Sequence, residues 1–207
     1  MDQSVLDALN KWPNVPECFG WLALDRRGQW RMRNEESQIQ QLPGEIIKHA
    51  ALQYSIIKNY ARDSKGRFFF QNGPQRVFID LAYTPWIIRI YPDNNRTWLL
   101  QTTSGQIIEP IQCLVDQAGQ VLIEADFVVK TLSQVFTNSF ETQILRGVGL
   151  LHDHDLDFFA SHATFYQSKT KMLGFLEWAN QSIPIVSVHS NDLPELYNFR
   201  LKPHEKI

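Results

Sequence analysis

Arg67-Phe68-Phe69-Phe70-Gln71, Arg76-Val77-Phe78-Ile79-Asp80-Leu81-Ala82 and Trp86-Ile87-Ile88-Arg89-Ile90-Tyr91 are three runs rich in aromatic and β-branched residues. Such residues suit a pleated, half-buried surface. Asn72-Gly73-Pro74 and Tyr83-Thr84-Pro85 separate the runs, and Gly, Pro and Asn are the residues that turn a chain. The connections are too short for a parallel crossover, so the runs predict antiparallel neighbours. Asp93-Asn94-Asn95 reads as the next turn, residues 97–102 as the next strand, and Gly105 opens another through Ile107 and Ile108. Residues 67–112 are thus expected to form an antiparallel β-meander.

Outward from this block the pattern becomes helical on the N-terminal side. Ile46, Ala50, Tyr54 and Ile57 share one face of a predicted helix over 45–61, between Pro43-Gly44 and Asp63-Ser64-Lys65-Gly66. His49 lies on it. Before it, Trp21–Leu24 and Gln29–Arg33 flank the turn Asp25–Gly28 as a hairpin. Val5, Leu6, Leu9 and Trp12 fit a short first helix ended by Pro13 and Pro16. On the C-terminal side, Asp116–Gly119 is a turn, and Val128, Leu132, Val135 and Phe136 place a helix at 124–137. A helix from Asp155 through Tyr166 follows, with 171–179 as its continuation or a second helix. Residues 183–188 read as a last strand and 201–207 as a loose polar end. The fold class is α+β: an antiparallel meander with packed helices. The expected divisions are 18–64, 65–147 and 148–207.

Asp25-Arg-Arg-Gly28-Gln-Trp30 and Asp63-Ser-Lys-Gly66-Arg-Phe68 echo one another, each with an Asn four residues after the aromatic, at Asn34 and Asn72. Asp116 and Gly119 repeat the opening. Two readings stand. One is duplication of a strand–turn–strand–helix unit. The other is turn chemistry, which places Asp first and Gly fourth without any repeat.

Composition narrows the function classes. Of 207 residues, 43% are hydrophobic, 20% charged and 12% aromatic, and the net charge is −2, so a folded core is expected. Lys and Arg are dispersed, which argues against a nucleic-acid partner. A single phosphate, by contrast, needs only one or two arginines. Cys18 and Cys113 lie far apart and read as free thiols rather than a bridge framework. The first residues lack a basic region followed by an apolar core, and no apolar run is long enough to span a bilayer. A cytoplasmic address without a membrane partner is the expectation. GxSxG, GxxxxGK[ST] and GxGxxG are absent.

The stretch Gly66-Arg-Phe-Phe-Phe-Gln-Asn-Gly-Pro-Gln-Arg-Val-Phe-Ile-Asp-Leu-Ala-Tyr-Thr-Pro-Trp86 resembles an uncharacterised proteobacterial family of unknown function. Asp25-x-x-Gly28-x-Trp30, His49 and Asn59-Tyr60 fit the same pattern, and the likeness covers about residues 19–140. A wider group of unknown-function proteins shares the order of turn, helix, strand and acidic-x-x-Pro-aromatic. That resemblance implies a duplicated core and a second half similar to a pleckstrin-homology sheet closed by a helix. It also implies a small, nucleotide-like ligand between the halves and a role in signalling or stress response. Tyr83 stands where the wider group carries a carboxylate. The resemblance brings no catalytic residues with it.

Strand alternation puts Val77, Ile79 and Leu81 on one face and Arg76, Phe78 and Asp80 on the other, with Arg89 of the next strand meeting the second face. Two guanidinium forks against one carboxylate suit an acidic or phosphate group, and Gln71, Asn72 and Gln75 stand ready at the turn. The same residues equally suit a cross-strand ion pair on a solvated face. His152-Asp153-His154-Asp155 offers metal-type side chains, yet neighbours in sequence do not all converge, and an acidic helix start explains them as well. The expectation is therefore a non-enzymatic binder of a small anionic molecule, with no catalytic residue, metal or cofactor. A metal-dependent enzyme using residues 152–155 and a protein-interaction module are the alternatives.

Overall fold

The structure, a computed structural model, describes residues 1–92, 98–133, 139–167 and 170–204. The elements in chain order are α1 (Gln3–Lys11), β1 (Cys18–Leu24), β2 (Trp30–Met32), α2 (Glu35–Ile39), β3 (Glu45–Ile46), α3 (Ala50–Lys58), β4 (Tyr60–Arg62), β5 (Phe68–Asn72), β6 (Gln75–Leu81) and β7 (Trp86–Pro92). They continue with β8 (Trp98–Thr102), β9 (Ile107–Ile108), β10 (Gln112–Val115), β11 (Val121–Leu132), β12 (Phe140–Leu151), α4 (Leu156–His162), β13 (Ala163–Phe165), β14 (Met172–Trp178), β15 (Gln181–Ser187) and α5 (Leu193–Leu196). The protein is broadly α+β, with a mixed sheet rather than a simple meander.

The sheet runs β13-β14-β15-β10-β11-β4-β5-β6-β1-β2-β3, and β12, β7, β8 and β9 branch from β11. β5 and β6 form an antiparallel hairpin, as do β7 and β8. The expected continuity between β6 and β7 is absent: β6 pairs in parallel with β1, and β7 in parallel with β12. The junction lies at Tyr83-Thr84-Pro85. Thr84 Oγ1 accepts the Leu150 N–H at 3.0 Å and donates to the Trp86 carbonyl at 2.7 Å. A long-range partner thus takes the chain away from the hairpin. The expected turn at 93–95 lies outside the described residues.

The helix expected over 124–137 is a strand wherever it is described. Along β11 the burial alternates from Ala125 to Thr131, with Phe127 and Val129 inward and Asp126 and Val128 outward. Val128, Val129 and Thr131 are β-branched and stiff, which disfavours a helix. Pairing from Leu122–Leu150 to Leu132–Phe140 then makes a long hairpin with β12. Residues 163–165 and 172–178 are likewise strands, where helix was expected. The helix expected over 45–61 is confined to α3, and Glu45–Ile46 form the edge strand β3. The end is not loose over 201–204: the Leu201 carbonyl accepts the Leu81 N–H at 2.9 Å, and Pro203 is buried.

Three Asp-x-x-Gly turns have one geometry. Asp25, Asp63 and Asp116 each accept two backbone N–H groups on Oδ1, two and four residues on, at 2.8–3.0 Å. Gly28, Gly66 and Gly119 follow at φ of 76–78°, a left-handed conformation that glycine adopts without steric cost. The two echoing asparagines differ in role. Asn34 caps α2 by accepting the Ser37 N–H, whereas Asn72 ends β5. Turn chemistry accounts for the Asp and Gly; the elements that follow the three turns differ.

One main core runs through the sheet, with Trp86 stacked on Phe127 at 3.9 Å. A smaller cluster of Ala61, Phe69 and Phe78 lies on the other face of the β5–β6 hairpin, covered by Met1, Phe19, Leu132 and Phe140. Each fully buried Phe contributes roughly 1.5–3 kcal/mol.

Candidate functional site: a cleft between helix α3 and the sheet

His49 begins α3 as its N-cap, its Nδ1 accepting the Leu52 N–H at 3.2 Å. This role explains a histidine beside apolar residues without assigning it a reaction. The helix presents Leu52 and Ile56 to a cleft of about 500 Å³. Phe70 and Asn72 of β5, Gln75 and Val77 of β6, Leu22 and Trp21 of β1, and Met32 of β2 form its other walls. That volume suits a small organic ligand.

The backbone of β1 explains how Trp21 reaches the cleft. Gly20 has φ 81°, and pairing with β6 shifts register between Cys18 and Leu22. Strict alternation fails there, and both Trp21 and Leu22 line the cavity. Trp21 stays 42% exposed and Met32 50%, more than two large apolar side chains need be if packing alone placed them. None of the lining residues carries a formal charge. Cys18 is the one thiol present, and burial raises its pKa, so it stays protonated near neutral pH. Asn72 and Gln75, paired where the hairpin closes, supply the amides.

The six residues expected to form a site thus divide between two faces and a third place. Asn72 and Gln75 line the cleft. Gln71, Arg76 and Asp80 lie on the opposite face of the same hairpin, as alternation requires. Arg76 Nη1 donates to Glu17 at 2.9 Å. Asp80 is buried and ion-paired with Arg33, with Lys202 Nζ 3.7 Å and His204 Nδ1 3.5 Å away. Arg89 does not join them, because β7 pairs elsewhere; its Nε donates to Asp155 at 2.6 Å. Trp21, Met32 and Cys18 were not anticipated. The signal for Trp21 was Gly20 inside a strand, a common mark of a bulge.

Ligand atoms of His152, Asp153 and His154 lie within 4.8 Å of one another. They form the start of a 3₁₀ turn in which His152 Nδ1 accepts the His154 N–H at 3.1 Å. The cap is therefore the histidine, and the acidic residues have other partners. Asp153 pairs with Arg27 at 2.7 Å, and Asp155 with Arg89. His189 caps a second 3₁₀ turn in the same way. It borders a larger, charged cavity of about 590 Å³ in which Lys171 offsets Asp192 and Glu195. Tyr83, in the place of the wider group's carboxylate, donates instead to Asp116, with Arg26 over its ring at 4.6 Å.

Among the described residues no helix is long and apolar enough to cross a membrane. No curated protein matches the chain. A solved structure of a DUF1285 family protein from Silicibacter pomeroyi DSS-3 is similar over 87% of each chain, at 13% identity and a TM-score of 0.44. A second DUF1285 family protein, from Shewanella baltica OS155, is similar over 68% of this chain and 91% of its own, at 12% identity and a TM-score of 0.35. The DUF2944 family, described as "Protein of unknown function (DUF2946)", matches residues 1–204, and the chain belongs to it.

Proposed function

We propose that the protein is a non-enzymatic binder of a small, uncharged and largely apolar molecule, held in the cleft between α3 and the sheet. The observation behind this reading is the composition of the walls. A cavity of about 500 Å³ is lined by apolar side chains, with two amides and no charge. Burying an anion there without a cation would be costly. A body that contacts Trp21, Met32 and Ile56, with one hydrogen-bonding group met by Asn72 or Gln75, fits the walls. Among the lining residues the thiol of Cys18 is the one nucleophilic group, and it is held protonated, so binding without turnover follows. Expectation of an anion rested on Arg76 and Arg89, and both already hold a carboxylate.

The test is a nuclear magnetic resonance screen of neutral, amide-bearing apolar fragments against the labelled protein. Binding in the cleft moves the Trp21 indole N–H and the Asn72 and Gln75 side-chain amides together. Hits that leave all three unmoved would overturn the reading. A second reading, a metal-dependent activity, draws on the close grouping of His152, Asp153 and His154. Titration with zinc or manganese separates it, because metal there perturbs His152 and His154 and leaves Trp21 unchanged.

A further inference from the structure

Opposite the cleft, on the other face of the β5–β6 hairpin, two guanidinium groups meet one carboxylate. Arg76 Nη1 lies 2.9 Å from Glu17 Oε1, and Arg67 Nη2 lies 3.9 Å from Glu17 Oε2. Both arginine side chains are about one-fifth exposed and Glu17 nearly two-fifths. The arginines are held by more than Glu17. Arg67 lies over the Phe78 ring at 4.2 Å, and its Nε donates to Asp63 at 2.7 Å. Arg76 lies over the Phe69 ring at 4.9 Å. Such cation–π contacts fix a guanidinium plane.

Glu17 is placed differently. It belongs to the connector between α1 and β1, which has no regular structure and contains Pro13 and Pro16. The hydrogen bonding is also incomplete. Arg76 Nε is buried without a partner, and so is Oε1 of Gln71, directly across the hairpin. A buried donor left unmade is costly and is met by a ligand or water in most proteins.

We propose that Arg67 and Arg76 form a preset anion clamp that Glu17 occupies in the resting protein, and that the carboxylate or phosphate group of a small molecule takes when Glu17 leaves. An entering group with two oxygens can accept from both Arg76 nitrogens, which Glu17 does not do. This site is independent of the cleft, since the two lie on opposite faces of one hairpin.

The experiment measures binding of inorganic phosphate and of acetate to the full chain by isothermal titration calorimetry at low ionic strength. Parent, Glu17→Gln and Glu17→Gln/Arg76→Gln are compared, with Glu35→Gln, on the exposed start of α2, as the control for charge. Glu17→Gln is expected to bind one of the two probes about tenfold more tightly than the parent. The double variant should lose that gain, and Glu35→Gln should match the parent. Preference for phosphate or for acetate identifies the group the clamp takes. Circular dichroism confirms folding, and Glu17→Ala repeats the test should Glu17→Gln fail to fold. No gain for either Glu17 variant, or a gain that survives Arg76→Gln, would overturn the proposal.

Discussion

Arg89 Nε donates to Asp155 Oδ2 at 2.6 Å, and the same oxygen accepts the Ile90 N–H at 3.1 Å. One carboxylate thereby joins β7 to the start of α4. Its side chain is 10% exposed and that of Arg89 29%, so removing either leaves a poorly solvated charge. Asp155→Ala is expected to cost about 2–3 kcal/mol in urea unfolding, toward the lower end for a partly exposed pair. A loss below about 1 kcal/mol would place the pair with ordinary surface ion pairs. Early melting of Arg89→Ala without any ligand follows from the same contact and separates a structural arginine from a ligand-binding one.

Gly66 and Gly119 share a turn geometry but not their surroundings. At φ 78° and 77° both lie in left-handed space, where any other residue costs roughly 1–2 kcal/mol. A Cβ on Gly66 would lie 2.5 Å from the Asn198 carbonyl oxygen, whereas one on Gly119 meets nothing within 4 Å. Gly66→Ala should therefore destabilise clearly more than Gly119→Ala in parallel thermal melts. Equal losses would mean that the 198–200 segment does not press on the turn.

Burial first, and then the charge of Arg89, hold the His152 imidazole below its ordinary value, although Asp153 opposes this. The unfolded chain thus takes up a proton at higher pH than the folded chain does. Stability is complete above the unfolded value of about 6.5 and falls as pH drops through it. His152→Asn keeps a side-chain acceptor for the His154 N–H and does not titrate. The difference in stability between parent and variant should move against the parent from pH 7.5 to pH 5.5. A difference independent of pH would contradict the assignment.

Local patterning in the sequence was a good guide to single elements and a poor one to their partners. The Phe-rich runs became β5, β6 and β7, and Arg76, Phe78 and Asp80 did share a face. The hairpin β1–β2, the three Asp turns and α1 were equally legible, because their causes lie within a few residues. The pairing of β7 was not, since Thr84 finds Leu150, 66 residues away. β11 misled because Val128 and Leu132 happen to fall at helical spacing, while Phe127 and Val129, which bury it, fit a strand. For the site, Asn72 and Gln75 were visible as turn amides. Trp21 and Met32 were not, because exposure of an apolar side chain is a property of the assembled sheet.

The account rests on the cleft between α3 and the sheet being a ligand site, and Val77 gives direct access to it. Val77 lines the cavity and is only partly buried, so Val77→Trp should fill much of the space while the hairpin still forms. The measurement is a fluorescence titration of parent and Val77→Trp with 1-aminoanthracene, a neutral aromatic probe, at matched folding by circular dichroism. Saturable binding to the parent, weakened at least about tenfold in the variant, is the predicted result. Equal binding to both proteins, or none to the parent, would contradict the account.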